Sequence, residues 1–167
     1  MRKNKKRLWA LLVSAALMAA QLPAARAAEG PEPADSVEKG DFIVEGAALI
    51  DSQEGGDFYL DGDVLHITSG KAMTIRMKNG VTATTDTILV PSSVTASVTL
   101  QGVNIDVSGT DKACAFAVEA GGEANVTLAG ANTLKSGRYR AGLEVPENAT
   151  LTLTGGDGDS LEATGGV

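Results

Sequence analysis

The stretch Val98-Thr99-Leu100-Gln101-Gly102-Val103-Asn104-Ile105 decides the fold, because the chain writes it more than once. Val-Thr-Leu returns at Val126-Thr127-Leu128, and variants stand at Met73-Thr74-Ile75 and Leu151-Thr152-Leu153, at steps of 25, 28 and 25 residues. A second file of triplets alternates with it: Leu65-His66-Ile67, Ile88-Leu89-Val90, Phe116-Ala117-Val118 and Leu143-Glu144-Val145, at steps of 23, 28 and 27. Four residues after the end of each first-file triplet stand Asn79, Asn104, Asn132 and Asp157. Gly102, Gly130 and Gly155 precede the last three by two residues, and Met77 takes that place in the first copy.

The outer residues of these triplets are apolar and the middle ones mostly polar or small, which is the period of a strand. Strands this short do not stand alone. Repeats of this length, each burying an apolar face against its neighbours, build a solenoid. No copy holds the uninterrupted 3.6-residue pattern of a helix, and the Leu/Asn signature of leucine-rich repeats is absent. The pattern predicts an all-β chain, a parallel β-helix of about four coils over residues 64–167. Its Ile, Val and Leu files fill the interior, and the Thr file faces out. Asn79, Asn104 and Asn132 are expected to stack as an amide ladder at a bend, weakened at Asp157, which accepts but cannot donate when ionised. Turn lengths then fall in two groups: eight residues from Val90 to Val98 and from Val118 to Val126, six from Ile67 to Met73 and from Val145 to Leu151.

Composition agrees. Of 167 residues 43% are hydrophobic but only 4% aromatic, so the core must come from aliphatic side chains and Thr, which suit strands. One Cys excludes an intrachain disulfide framework and a multi-Cys zinc site, and one His excludes a multi-His metal centre.

The N-terminus reads as an address. A basic run (Arg2, Lys3, Lys5, Lys6, Arg7) precedes an apolar stretch from Leu8 to Leu22, then Pro23 and Ala25-Arg26-Ala27. The stretch is short for a membrane span, and the flanks predict a signal peptide over 1–27, cleaved after Ala27, hence a secreted or cell-surface protein; the alternative is an uncleaved anchor. Cleavage leaves eight basic against 21 acidic residues, a net charge of −13. Such a surface argues against nucleic acid as a partner, and no second apolar run follows to span a membrane. Residues 28–40, rich in Pro, Glu, Ala and Gly, read as a disordered linker. Residues 41–63 read as an N-terminal cap segment, with strands at Phe42-Ile43-Val44 and Phe58-Tyr59-Leu60. The chain stops at Gly165-Gly166-Val167, where a further coil would begin, which predicts a C-terminal truncation unless the last coil caps itself.

Val98-Thr99-Leu100-Gln101-Gly102-Val103-Asn104-Ile105, Gly130-Ala131-Asn132-Thr133-Leu134 and Ala141-Gly142-Leu143-Glu144-Val145-Pro146 resemble secreted β-helical surface proteins of Gram-positive bacteria, the carbohydrate-binding-domain or adhesin-like group. The resemblance covers about residues 57–167. It implies a polysaccharide or cell-surface glycan as partner, in some relatives with calcium, and hands over no binding residue.

The residues themselves offer three readings. The first is a non-catalytic glycan-binding module. Tyr139, between Arg138 and Arg140, is the one exposed aromatic platform expected. Calcium is the cofactor that its acidic loops would admit: Asp61-Gly62-Asp63 recurs as Asp157-Gly158-Asp159, the latter near a calcium nonapeptide but departing at Ser160. The competing reading of these four Asp is a solvated acidic turn. The second reading is a structural stalk segment of a larger adhesin. The third is a truncated polysaccharide lyase, disfavoured because the outward file His66, Leu89, Ala117, Glu144 holds one isolated carboxylate and one isolated imidazole. His66 is expected in solvent and Cys114 as a buried, inert thiol.

Overall fold

A computed structural model describes residues 34–167, so the signal-peptide reading of 1–27 and the first part of the linker lie outside the described residues. The described chain is all β, with fourteen strands and no helix. They are β1 (Ala34–Lys39), β2 (Phe42–Leu49), β3 (Phe58–Asp61), β4 (Val64–Ile67), β5 (Ala72–Met77), β6 (Thr87–Val90) and β7 (Thr95–Gln101). There follow β8 (Asn104–Asp106), β9 (Phe116–Val118), β10 (Glu123–Ala129), β11 (Ala131–Arg138), β12 (Leu143–Glu144), β13 (Thr150–Thr154) and β14 (Ser160–Gly166).

From β4 onward the chain winds a β-solenoid of about three turns. One face stacks β4, β6, β9 and β12; the second stacks β5, β7, β10 and β13; the third stacks β8, β11 and β14. Every pairing within these stacks is parallel. In the first rung the third face is a single bridge from Thr84 to Ile105. Alternation then sorts the side chains. Leu65, Ile75, Ile88, Leu100, Ile105, Phe116 and Leu134 are fully buried, and each such burial contributes roughly 1.5–3 kcal/mol.

The N-terminal end is closed by antiparallel strands. β1 and β2 form a hairpin laid on β5, and β3 pairs with β4. Both hairpins turn in two residues, Gly40-Asp41 and Gly62-Asp63, with φ of +56° at each glycine, a geometry that matches the strand twist. The expected strands at Phe42 and Phe58 are present, and Phe42, Val44 and Phe58 are fully buried. The linker expected over 28–40 is corrected for 34–39. That segment is β1, because the free edge of β2 supplies backbone partners and Val37 packs on the core. Asp57 pins the cap, accepting from the Ile50 N–H at 2.7 Å, Ser69 Oγ at 2.7 Å and Lys71 Nζ at 2.9 Å. Burial alone would push its carboxyl up, but these three donors together hold it below the ordinary range.

Two register expectations are corrected. In the last rung Val126 pairs with Leu153 and Thr127 with Thr154, so the outward Thr file is Thr74, Thr99, Thr127, Thr154, and Thr152 stands beside Asn125. The turn from Val145 to Leu153 therefore matches its neighbours at eight residues. The amide ladder also does not form. Asn79 is exposed in a turn, Asn104 pairs with Thr133, Asn132 pairs with Leu161, and Asp157 is exposed. Leu100 and Leu128 are register partners, and so are Asn104 and Thr133, so the path from β10 into β11 is one residue longer than that from β7 into β8, and that slips the asparagines out of line. Side-chain staples reach back one rung instead. Asn132 Oδ1 accepts from the Val103 N–H at 2.9 Å, Asn104 Nδ2 donates to the Thr82 carbonyl at 2.7 Å, and Asp159 Oδ1 accepts from the Gly130 N–H at 2.7 Å.

Candidate functional site

The corner that carries the chain from the third face back to the first varies most in length. Four residues separate Thr84 from Ile88, eleven separate Ile105 from Phe116, and nine separate Leu134 from Leu143. A long corner standing over a short one leaves a hollow. It is an open cleft of about 440 Å³, lined by Asp63, Val64, Thr85, Thr87, Val107, Thr110, Lys112, Ala113 and Cys114.

The walls are rigid for local reasons. The Thr87 N–H donates to the Asp63 carbonyl at 2.8 Å, tying β6 to the β3–β4 turn. The Lys112 N–H donates to the Arg138 carbonyl at 3.0 Å, tying the long corner to the rung above. Gly137 permits that approach, since a Cβ there would collide with the Thr110 carbonyl. Lys112 and Tyr139 occupy equivalent positions one rung apart, and both are left-handed, with φ of +62° and +68°. A left-handed backbone is uncommon for a residue with a side chain and persists only where its surroundings over-determine it.

Tyr139 is 68% exposed. The Arg138 guanidinium lies 5.1 Å from its ring centroid and donates from Nη2 to the phenol oxygen at 3.2 Å. Arg140 is held by Glu144, Nε to Oε2 at 2.8 Å. The cleft wall and the level above it thus bring together hydroxyls (Thr85, Thr87, Thr110), the Asp63 carboxylate, cations (Lys112, Arg138) and an aromatic plate on three successive levels. Arg138, Tyr139 and Arg140 were legible in the sequence. Thr85, Thr87, Thr110 and Lys112 were not, since only the stacking of unequal corners brings them together.

The four Asp considered for calcium do not meet. Asp61 ends β3 and Asp63 lies in the hairpin turn at the capped end, whereas Asp157 and Asp159 sit in the bend of the last rung. Asp159 is engaged by backbone, Oδ2 accepting from the Gly156 N–H at 2.7 Å besides the Gly130 contact, and these N–H groups hold its carboxyl below the ordinary range. Among the described residues no group of three or more His, Cys, Asp or Glu is placed to hold one metal ion. These four Asp therefore do not form one shared calcium site.

His66 is less exposed and Cys114 less buried than expected, and the thiol is inert as expected. His66 stacks on Tyr59, ring centroids 4.5 Å apart and 6° from parallel, because β3 pairs with β4. Cys114 is half-buried on the cleft wall, its thiol 3.2 Å from the Phe116 carbonyl. Burial pushes that thiol up, which leaves it a poor nucleophile. For hydrolysis the cleft wall offers one carboxylate, Asp63, where a pair is required. The neighbouring Asp86 bonds to the β1–β2 turn and is absent from the cleft wall.

No family model, no curated protein and no solved structure matches the chain.

Proposed function

We propose that the protein is a secreted, non-catalytic binding module of a bacterial surface protein, and that it holds a glycan in the corner cleft by polar contacts. One observation carries the reading: an exposed tyrosine, backed by Arg138 and fixed in a left-handed corner, stands one rung above a cleft walled by hydroxyls, Lys112 and Asp63. Sugar rings present an apolar face that stacks on an aromatic plate and hydroxyls that exchange hydrogen bonds with such walls. The levels are spaced by roughly 4.8 Å along the axis, so the corner suits consecutive sugars of one chain lying along it. Calcium plays no part in this reading, and binding should survive a chelator.

A glycan array with the wild-type chain and Tyr139→Ala tests it. Binding to one glycan class is expected, weakened about tenfold by the substitution, the equivalent of roughly 1.4 kcal/mol. Binding that Tyr139→Ala leaves intact would move the site elsewhere. No binding to any glycan would favour the stalk reading, and depolymerisation of a bound polysaccharide would favour the lyase.

A further inference from the structure

We propose that the junction between the N-terminal cap and the first rung is an acid-strengthened latch, built from Asp86, Asp41 and Thr84. Asp86 is 8% exposed and Thr84 4%. Asp86 Oδ2 accepts from the Asp41 N–H at 2.7 Å, in the turn between β1 and β2. The Thr84 hydroxyl donates to Asp41 Oδ2 at 2.8 Å and accepts from the Asp86 N–H at 2.9 Å. The carboxyl is pressed so closely on the turn that a Cβ at Gly40 would strike it, and Leu60 of β3 lies close to the same point. One compact network therefore joins the cap hairpin to the start of β6.

The network holds carboxylates and no cation. The charged groups that face Asp86 are Asp41 from the β1–β2 turn and Asp63 from the β3–β4 turn, both anionic. Lys78, whose N–H donates to the Asp41 carbonyl, gives its ammonium to Glu38 at 2.7 Å and also attracts the Asp41 carboxylate, but it does not act on Asp86. Among the described residues no ion pair reaches Asp86 or Asp41. Burial disfavours the charged form of Asp86, and the two like charges add to that; the Asp41 N–H offsets part of it. The carboxyl consequently holds its proton above the ordinary carboxylate range. A folded pKa above the unfolded one means that the folded state binds the proton more tightly. The stability contributed by this group is thus greatest in acid and is lost as pH rises through the folded pKa. Protonated, Asp86 keeps an acceptor for the Asp41 N–H and gains a donor. Ionised, it sets an unpaired charge under the cap. Asp57, Asp106 and Asp159 have lowered values and act with the opposite sign. The hold that Asp86 exerts on the cap is therefore stronger in acid than at neutrality.

Two measurements on the full chain test the latch. Carbon-detected NMR titration of the wild-type Asp86 carboxyl should give a midpoint above the ordinary value of about 3.9; a midpoint at or below it overturns the proposal. Asp86→Asn keeps the acceptor and removes the charge. Its amide protection across β1 and β2 should exceed wild type severalfold at pH 7, and the gap should close on acidification. Equal protection at both ends of the range, or protection lower than wild type at pH 7, would contradict it.

Discussion

Asn132 and Asp159 perform one task with different chemistry. Each sends a side-chain oxygen back one rung to a backbone N–H at the bend between the second and third faces. Asn132 is buried, and its amide also donates to the Gly130 and Ser160 carbonyls at 3.2 and 3.3 Å. Removing it strands a buried N–H at Val103, so Asn132→Ala should lower unfolding free energy by about 1–3 kcal/mol in a denaturant melt. Asn79→Ala, at an exposed turn, should change it by less than about 0.5 kcal/mol. In the last rung Asp159→Ala should lower Tm and Asp157→Ala should not. Equal effects at 79 and 132, or at 157 and 159, would restore the ladder. The sequence showed that polar residues gather at this bend. It could not show which ones staple, because Leu153 aligns with Val126 and not with Leu128, so a count of four from Leu153 lands on Asp157 instead of Asp159.

At the scale of the strand, β13 carries the lesson. Leu151 and Leu153 share one face, and a slip by two residues keeps every side chain on its side, so alternation cannot choose between them. The corners could have. Pro91 and Pro146 begin equivalent turns 55 residues apart, and so do Val98 and Leu153. The left-handed Ser93 and Asn148 follow the same count, with left-handed Gly121 between them: the Ser93 N–H donates to the Gly121 carbonyl at 3.0 Å, and the Gly121 N–H to the Asn148 carbonyl at 2.9 Å. The interior files were plain in the sequence because each needs only burial. β1 was not, because its partner is an edge and its stabilisation comes from backbone ladder bonds. Burial also grades the energetics along a file. Leu100 is 1% exposed and Leu153 is 44% exposed. Leu100→Ala should cost about 2–5 kcal/mol and Leu153→Ala under about 1 kcal/mol, both read as shifts in denaturant midpoint. A large loss at Leu153 would mean that something covers the last rung in solution.

Across the whole molecule the two ends differ. One is roofed by antiparallel strands, and at the other β12, β13 and β14 are edge strands with Leu153 and Val145 exposed. Between them the solenoid is regular on its faces and most irregular at one corner, and that corner carries the cleft. Its position was outside what the sequence pattern could show, because the pattern fixes which residues face inward and leaves corner lengths free. The central claim is that three stacked corners act as one glycan-binding surface. The most direct test is NMR titration of the isotope-labelled chain with an oligosaccharide of the class retained on the array. The account predicts shifted amides at 63, 85–87, 110–114 and 138–140, on consecutive levels of a single corner. Shifts confined to the outward Thr file, or to the exposed last rung, would contradict it.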